Sequence, residues 1–359
     1  MEQLKPKKNV IKSIGRVITS YSYILIFLAL FIVYYLSSKS LTWTGITNIL
    51  RHSAVIGVMS FGMGLVIVTG EIDLSVGSML AFVSSVSIVL FNITDSLLVL
   101  ALMALAVGTL CGLLNGLLVG KAKMPSFIAT LATMLILRSV VQFYSHILDK
   151  FYTGGGNNLY KMASTDAKNA FFKFGNSTTI GLPMVGLILI GITAIIVYMT
   201  TSTKFGKKVY AVGSNERAAR LAGVNTDLMK VGVFTLSGLM VGIGAFMWVA
   251  MQSSVDPATT GKSNEMYAIA AVVLGGISMS GGRGKFLGVL FGAMSYTIID
   301  KIIASINVDS LINDAIKGAI LIVAILARTS FPTRRVKHRG AKQESGVQQS
   351  GSQVQNHQQ

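Results

Sequence analysis

Two stretches of the chain approach the spacing of a phosphate-binding loop, and neither reaches it. In Asp256-Pro-Ala-Thr-Thr-Gly-Lys-Ser263 the last three residues fit G-x-x-x-x-G-K-[ST], but Asp256 stands where the first glycine belongs. Around Gly281-Gly-Arg-Gly-Lys285, Met279 takes the first-glycine position and Phe286 follows the lysine. A phosphate cradle needs backbone N–H groups presented by those glycines, so no ATP site is expected and no cofactor is expected on this chain. None of the four histidines is paired within an apolar run, and the one cysteine, Cys111, reads as a small core residue. No catalytic residue and no metal site are therefore expected. What remains is charge in costly places. Glu71 and Asp73 sit in a tight turn, where carboxylates can cap the following helix. Arg138 interrupts an apolar run and must face a bundle interior or reach an interface. Lys317 lies near the end of another run and can snorkel to the surface.

The elements that carry these residues are apolar and long. Of 359 residues, 52% are hydrophobic and only 13% charged, about half the roughly 25% of a soluble domain. Uncharged runs fill the gaps from Arg16 to Lys39, Arg51 to Glu71, Asp73 to Asp95, Asp95 to Lys121, Lys173 to Lys204 and Lys230 to Asp256. A helix needs roughly 20 apolar residues to span a bilayer. The pattern predicts an all-α polytopic membrane protein of about ten transmembrane helices. The spans fall at about 19–37, 53–70, 74–93, 97–120, 124–147, 180–201, 231–251, 265–281, 286–303 and 311–328. Residues 1–18 form a cytoplasmic segment, 19–330 the transmembrane domain, and the Gln-, Ser- and Gly-rich 331–359 a disordered cytoplasmic tail. The first span is too long for a typical cleaved signal.

The net charge of +17 first suggests a nucleic-acid partner. Its distribution argues for topology instead. With the N-terminus in the cytoplasm, 21 of the 31 Lys and Arg fall in inner segments and 8 in outer loops. That is the positive-inside bias, so both termini are expected in the cytoplasm and no nucleic acid is needed.

The inner loop 202–230 is the most informative. Ser214 or Asn215 can cap a helix there and Gly223 can end it. Ala218, Leu221 and Ala222 share one face of that helix, while Glu216, Arg217 and Arg220 are polar and Ala219 lies between. Such a short exposed helix suits docking in a partner's groove. Gly112, Gly116 and Gly120 make consecutive G-x-x-x-G steps, which permit close helix packing. The turns at 68–77 and 274–282, the second carrying Ser278, Gly281 and Gly282, are weakly alike and fall on the same inner side. The longest outer loop, 148–179, holds a turn-rich stretch from Gly154 to Asn158.

Four segments, in order, resemble the permease subunits of bacterial ABC importers for monosaccharides, the ribose/xylose/galactoside group. They are Gly70-Glu-Ile-Asp-Leu-Ser-Val-Gly77, Pro125-Ser-Phe-Ile-Ala-Thr-Leu-Ala-Thr133, the stretch from Thr203 to Val224, and the turn from Gly275 to Gly284. The resemblance covers roughly residues 40–330. Glu71 and Ala132 stand where that family usually has Gly. The resemblance implies a permease in the bacterial cytoplasmic (inner) membrane, paired with a second copy or a paralogue. A separate ATPase subunit would bind ATP–Mg, and an extracytoplasmic sugar-binding protein would deliver the substrate. It also implies that Asn215–Gly223 is the helix that docks on the ATPase, and that Glu71, Asp73, Ser75, Ser278, Gly281 and Gly282 form polar turns near the pathway. The rival reading is a stand-alone secondary carrier or channel for a small polar solute. The spans carry no clear mid-membrane carboxylate, which counts against it.

Overall fold

The computed structural model describes residues 21–38, 42–155, 158–305, 312, 315–319 and 322. Segments 1–18 and 331–359, and most of the expected span 311–328, lie outside them. The long helices are α1 (Ser22–Ser38), α2 (Trp43–Val68), α3 (Val76–Thr94), α4 (Leu97–Gly120) and α5 (Ser126–Ile147). A connecting region follows: α6 (Lys150–Thr153), β1 (Tyr160–Lys161), α7 (Asp166–Asn176), β2 (Thr178–Thr179) and β3 (Leu182–Pro183). The chain continues through α8 (Met184–Ser202), α9 (Lys204–Ser214), α10 (Glu216–Leu221) and α11 (Thr226–Gln252). It closes with β4 (Ser254–Val255), α12 (Asn264–Leu274) and α13 (Phe286–Ser305). The all-α expectation holds apart from two two-stranded pairs, β1 with β4 and β2 with β3.

Seven described helices are long and apolar enough to cross a membrane: α2, α3, α4, α5, α8, α11 and α13. The expected ten are not reached among the described residues. Helix α1 is a shorter apolar helix of 17 residues. The run expected at 265–281 is only half a span. Helix α12 has 11 residues, about 16 Å against a hydrocarbon core of roughly 30 Å, and Gly275 and Gly276 end it.

Boundaries moved where caps outweigh charge. Helix α2 begins ten residues before the expected 53, because Thr42 accepts the Gly45 N–H and starts it. Arg51 is thus inside the helix, with its guanidinium donating to the Asn176 carbonyl at 2.8 Å. The outer loop is more ordered than its turn-rich text suggests. Thr165 caps α7 through the Lys168 N–H, and Asn92 binds the Tyr152 and Lys161 carbonyls, both at 2.9 Å.

Helices α2, α3, α11 and α12 build the core, from Val55 and Phe61 through Met79 to Phe234 and Val272. Helices α4 and α11 pack backbone against backbone. A Cβ on Gly112 would sit 2.8 Å from the Gly238 Cα, and one on Gly108 would sit 2.8 Å from the Gly242 Cα. The G-x-x-x-G steps are therefore packing devices, as expected. Cys111 is buried beside them.

Candidate functional site

One end of the bundle, here the turn end, gathers the four motif segments into one patch. The α2–α3 turn (Thr69–Ser75) rests on the start of α5. Ser126 Oγ accepts the Ile72 N–H at 3.3 Å, and Thr130 Oγ1 accepts the Leu74 N–H at 3.1 Å. Asn115 bridges the same two motifs, donating to Ser75 Oγ at 2.8 Å and accepting from Thr133 Oγ1 at 2.7 Å. The α12–α13 turn meets the α2–α3 turn where the Gly282 N–H donates to the Val68 carbonyl at 2.9 Å. The long inter-helix segment joins both. Tyr210 donates to the Gly284 carbonyl at 2.8 Å, and a Cβ on Gly213 would sit 2.7 Å from the Gly282 nitrogen. The two weakly similar turns are thus in contact at one end.

The carboxylates divide. Asp73 is fully buried and accepts from the Ser75 N–H at 3.0 Å and the Ser75 Oγ at 2.6 Å. Ser237 Oγ reaches its second oxygen at 3.4 Å. That bonding at the start of α3 is close to the expected capping role. Glu71 does not cap. It pairs with Lys230 at 2.7 Å, with the two side chains only 16% and 15% exposed. A nearby cation competes successfully for a carboxylate that the cap does not need. Lys230 also holds Glu216 at 3.0 Å, and Arg220 binds Glu216 at 3.3 Å and Asp227 at 3.0 Å. Lys123 closes the network on Asp227.

Helix α10 forms as expected between Asn215, which accepts the Ala218 N–H at 3.0 Å, and Gly223, whose φ is +80°. Ala218, Leu221 and Ala222 are exposed, while Ala219 turns inward at 5% exposure. The reading of the residues missed α9, the amphipathic helix just before it. Thr203 caps α9 through the Gly206 N–H, and Val209 and Val212 are its buried face. The Thr203 cap was the available signal. Ser214 Oγ lies 3.4 Å from the Gly282 carbonyl, Ser278 Oγ accepts the Ser280 N–H at 3.3 Å within its own turn, and Arg217 makes no ion pair among the described residues. Burial raises the Glu216 carboxyl, but the hydrogen bond and charge of Lys230, with Arg220, outweigh it and hold it below its ordinary range.

Breaking this network has an expected size. Lys230→Met leaves Glu71 nearly buried without its cation, which costs about 3 kcal/mol and lowers the thermal midpoint of the detergent-purified protein. Glu71→Gln in the same chain should restore part of that loss; no recovery would mean that Lys230 acts through packing alone. Glu216 adds a pH signature. Its folded value is depressed, so its contribution is complete above the ordinary carboxylate range and fades as pH falls below it.

Arg138 and Lys317 lie elsewhere. Arg138, midway along α5, donates to the Pro257 and Thr260 carbonyls at 2.8 and 2.7 Å. It therefore faces the bundle and satisfies the non-helical backbone that leads into α12. The near-miss phosphate loop is this same segment. Lys317 does not snorkel: it pairs with Asp300 at 2.9 Å and lies over the Tyr267 ring, 5.1 Å from its centroid. A partly exposed carboxylate and the Tyr267 and Tyr296 ring faces outcompete the interface for it.

The chain matches the family described as branched-chain amino acid transport system / permease component over residues 45–325. The ribose import permease protein RbsC of Escherichia coli (strain K12) is 35% identical over 299 residues, 82% of this chain and 88% of that protein. RbsC of Bacillus subtilis (strain 168) is 34% identical over 326 residues, 90% of this chain and 97% of that protein. The autoinducer 2 import system permease protein LsrC of Escherichia coli (strain K12 / DH10B) is 30% identical over 292 residues, 81% of each. No solved structure matches the chain significantly. The matched span contains all four segments of the turn-end patch and the helices that hold them, and on that coverage the chain belongs to this family of ABC importer permease components.

Proposed function

We propose that the protein is the membrane-spanning subunit of an ATP-driven importer for a monosaccharide, in the bacterial inner membrane with both termini in the cytoplasm. The observation that carries this is the turn-end patch. It presents an exposed helix, α10, whose Glu216 shares Lys230 with Glu71 of the α2–α3 turn, next to Ser214 at the end of α9, whose Oγ lies 3.4 Å from the Gly282 carbonyl of the α12–α13 turn. A separate ATPase with its ATP–Mg, engaging α10, would move both turns together. A sugar-binding protein would deliver substrate at the opposite end, and a second permease copy or paralogue would complete the pathway. The names of the curated relatives support sugar as cargo.

The test is uptake into proteoliposomes holding the permease, its ATPase and its binding protein, with D-ribose, D-xylose, D-galactose and D-glucose. ATP-dependent accumulation of at least one, absent without the ATPase, is the expected result. Accumulation driven by an ion gradient alone would favour the secondary-carrier reading. Reporter fusions after residues 165 and 225 should report outside and inside respectively, and the reverse would overturn the orientation.

A further inference from the structure

A cavity of about 420 Å³ lies between α2, α11, α12 and α13. From this we infer that it is a transit site for a monosaccharide within the permease itself. The inference rests on the sugar-permease reading and adds the place and the residues. The volume is within the roughly 300–1,000 Å³ of small-molecule sites.

Depth is the first argument. Asn264 starts the half-length helix α12, about 16 Å from the turn end by helix rise. His52 and Lys301 lie 16 and 15 residues from the turn-end termini of α2 and α13, Val68 and Phe286, so about 23 Å away. The cavity therefore occupies the half of the bundle away from the turn end, with the start of α12 as its floor. Substrate arriving from that side meets it before the turn-end patch.

Chemistry is the second argument. His52, Asn264 and Lys301 line the cavity, and their side chains make no hydrogen bond or ion pair among the described residues. His52 is exposed and Asn264 and Lys301 are half-buried, so their polar atoms line an open mouth where a ligand that donates and accepts many hydrogen bonds can replace water. The other walls are aromatic. Tyr267 and Tyr296 stack with centroids 4.9 Å apart, and the Trp248 indole N–H is anchored on the Ser254 carbonyl at 3.3 Å. Aromatic walls with a few converging polar groups suit a sugar ring, which has apolar C–H faces and a polar rim. Asp300 is held by Lys317, so those two charges cancel at the edge.

The chain has two tryptophans, Trp43 and Trp248, which gives a direct readout. Trp43 is 63% exposed and is replaced by Phe, leaving Trp248 as the sole indole. This full-length protein in nanodiscs is titrated with the four sugars, and the same four are assayed for uptake by the complete complex. A transported sugar should change Trp248 emission saturably. Asn264→Ala should weaken that response at least tenfold and slow uptake severalfold, with ATPase association unchanged. Asn264→Gln, which keeps the amide, should restore part of both. A transported sugar that leaves Trp248 emission unchanged, or that acts equally on the Asn264→Ala protein, would overturn the site while the sugar-permease reading stands. Failure of all four sugars in the uptake assay overturns that reading, and the site with it.

Discussion

Leu221→Asp and Ala218→Trp are expected to cut ATP-driven uptake at least tenfold while the permease still inserts and folds. Leu221 is 91% exposed, so nothing in the chain depends on it for packing. A buried leucine at an interface contributes about 1.5–3 kcal/mol, and a carboxylate in its place must be desolvated besides. Ala218 shares the exposed face, and its small side chain allows close approach, so bulk there should obstruct docking. Uptake and ATPase co-purification at matched membrane levels measure both effects. Glu216→Ala should do less at the interface itself, because a partly exposed ion pair contributes only about 0–1 kcal/mol. Full uptake and full ATPase association in both variants would leave α10 as a passive linker. Ala219→Trp is not a clean probe, because Ala219 is buried against the bundle and its replacement would disturb folding first.

Gly238→Leu is expected to abolish the assembled protein altogether. A Cβ there would lie 2.7 Å from the Gly112 Cα, so α4 and α11 cannot stay in contact around a leucine. These two helices have backbone against backbone at Gly108, Gly112, Gly238 and Gly242, where no side chain can rotate aside. The loss should show as aggregated or degraded protein in size-exclusion analysis of detergent extracts. Gly191→Leu is the control. No atom lies within 4 Å of a Cβ at Gly191, and that position is exposed on α8. Equal yields from the two variants would refute the close-packing account.

Charge gaps made most of the helices legible in the sequence, because a bilayer excludes charge along a span. They failed where a charge is tolerated for a local reason. Arg51 is inside α2 because a carbonyl receives it, and its charge had marked a false boundary. The half-length of α12 was hidden because the residues after it, Gly275 to Gly282, are uncharged although they form a turn. Helix α10 was legible from Asn215 and Gly223, which act within a few residues of themselves. The Glu71–Lys230 pair was not, since it joins positions 159 apart in the sequence. The four motifs gave no sign that they would touch; Asn115, lying in none of them, holds two together.

The hydrogen bond from Gly282 to the Val68 carbonyl lies at the tip of a long lever. Helix α2 has 26 residues, so it extends about 39 Å from Val68 to Trp43. A tilt of about 5° about its Val68 end would carry Trp43 by roughly 3 Å and His52, part way along, by roughly 2 Å. A tilt small enough to leave the hydrogen bond at the Val68 end intact thus becomes, at His52, enough to make or break contact with a ligand in the cavity. Stiffness of this one helix would then set how faithfully a tilt at the turn end arrives at the far half of the bundle. That stretch already carries Gly57, Gly62 and Gly64, so a proline between Gly57 and Gly62 would act as a slipping clutch.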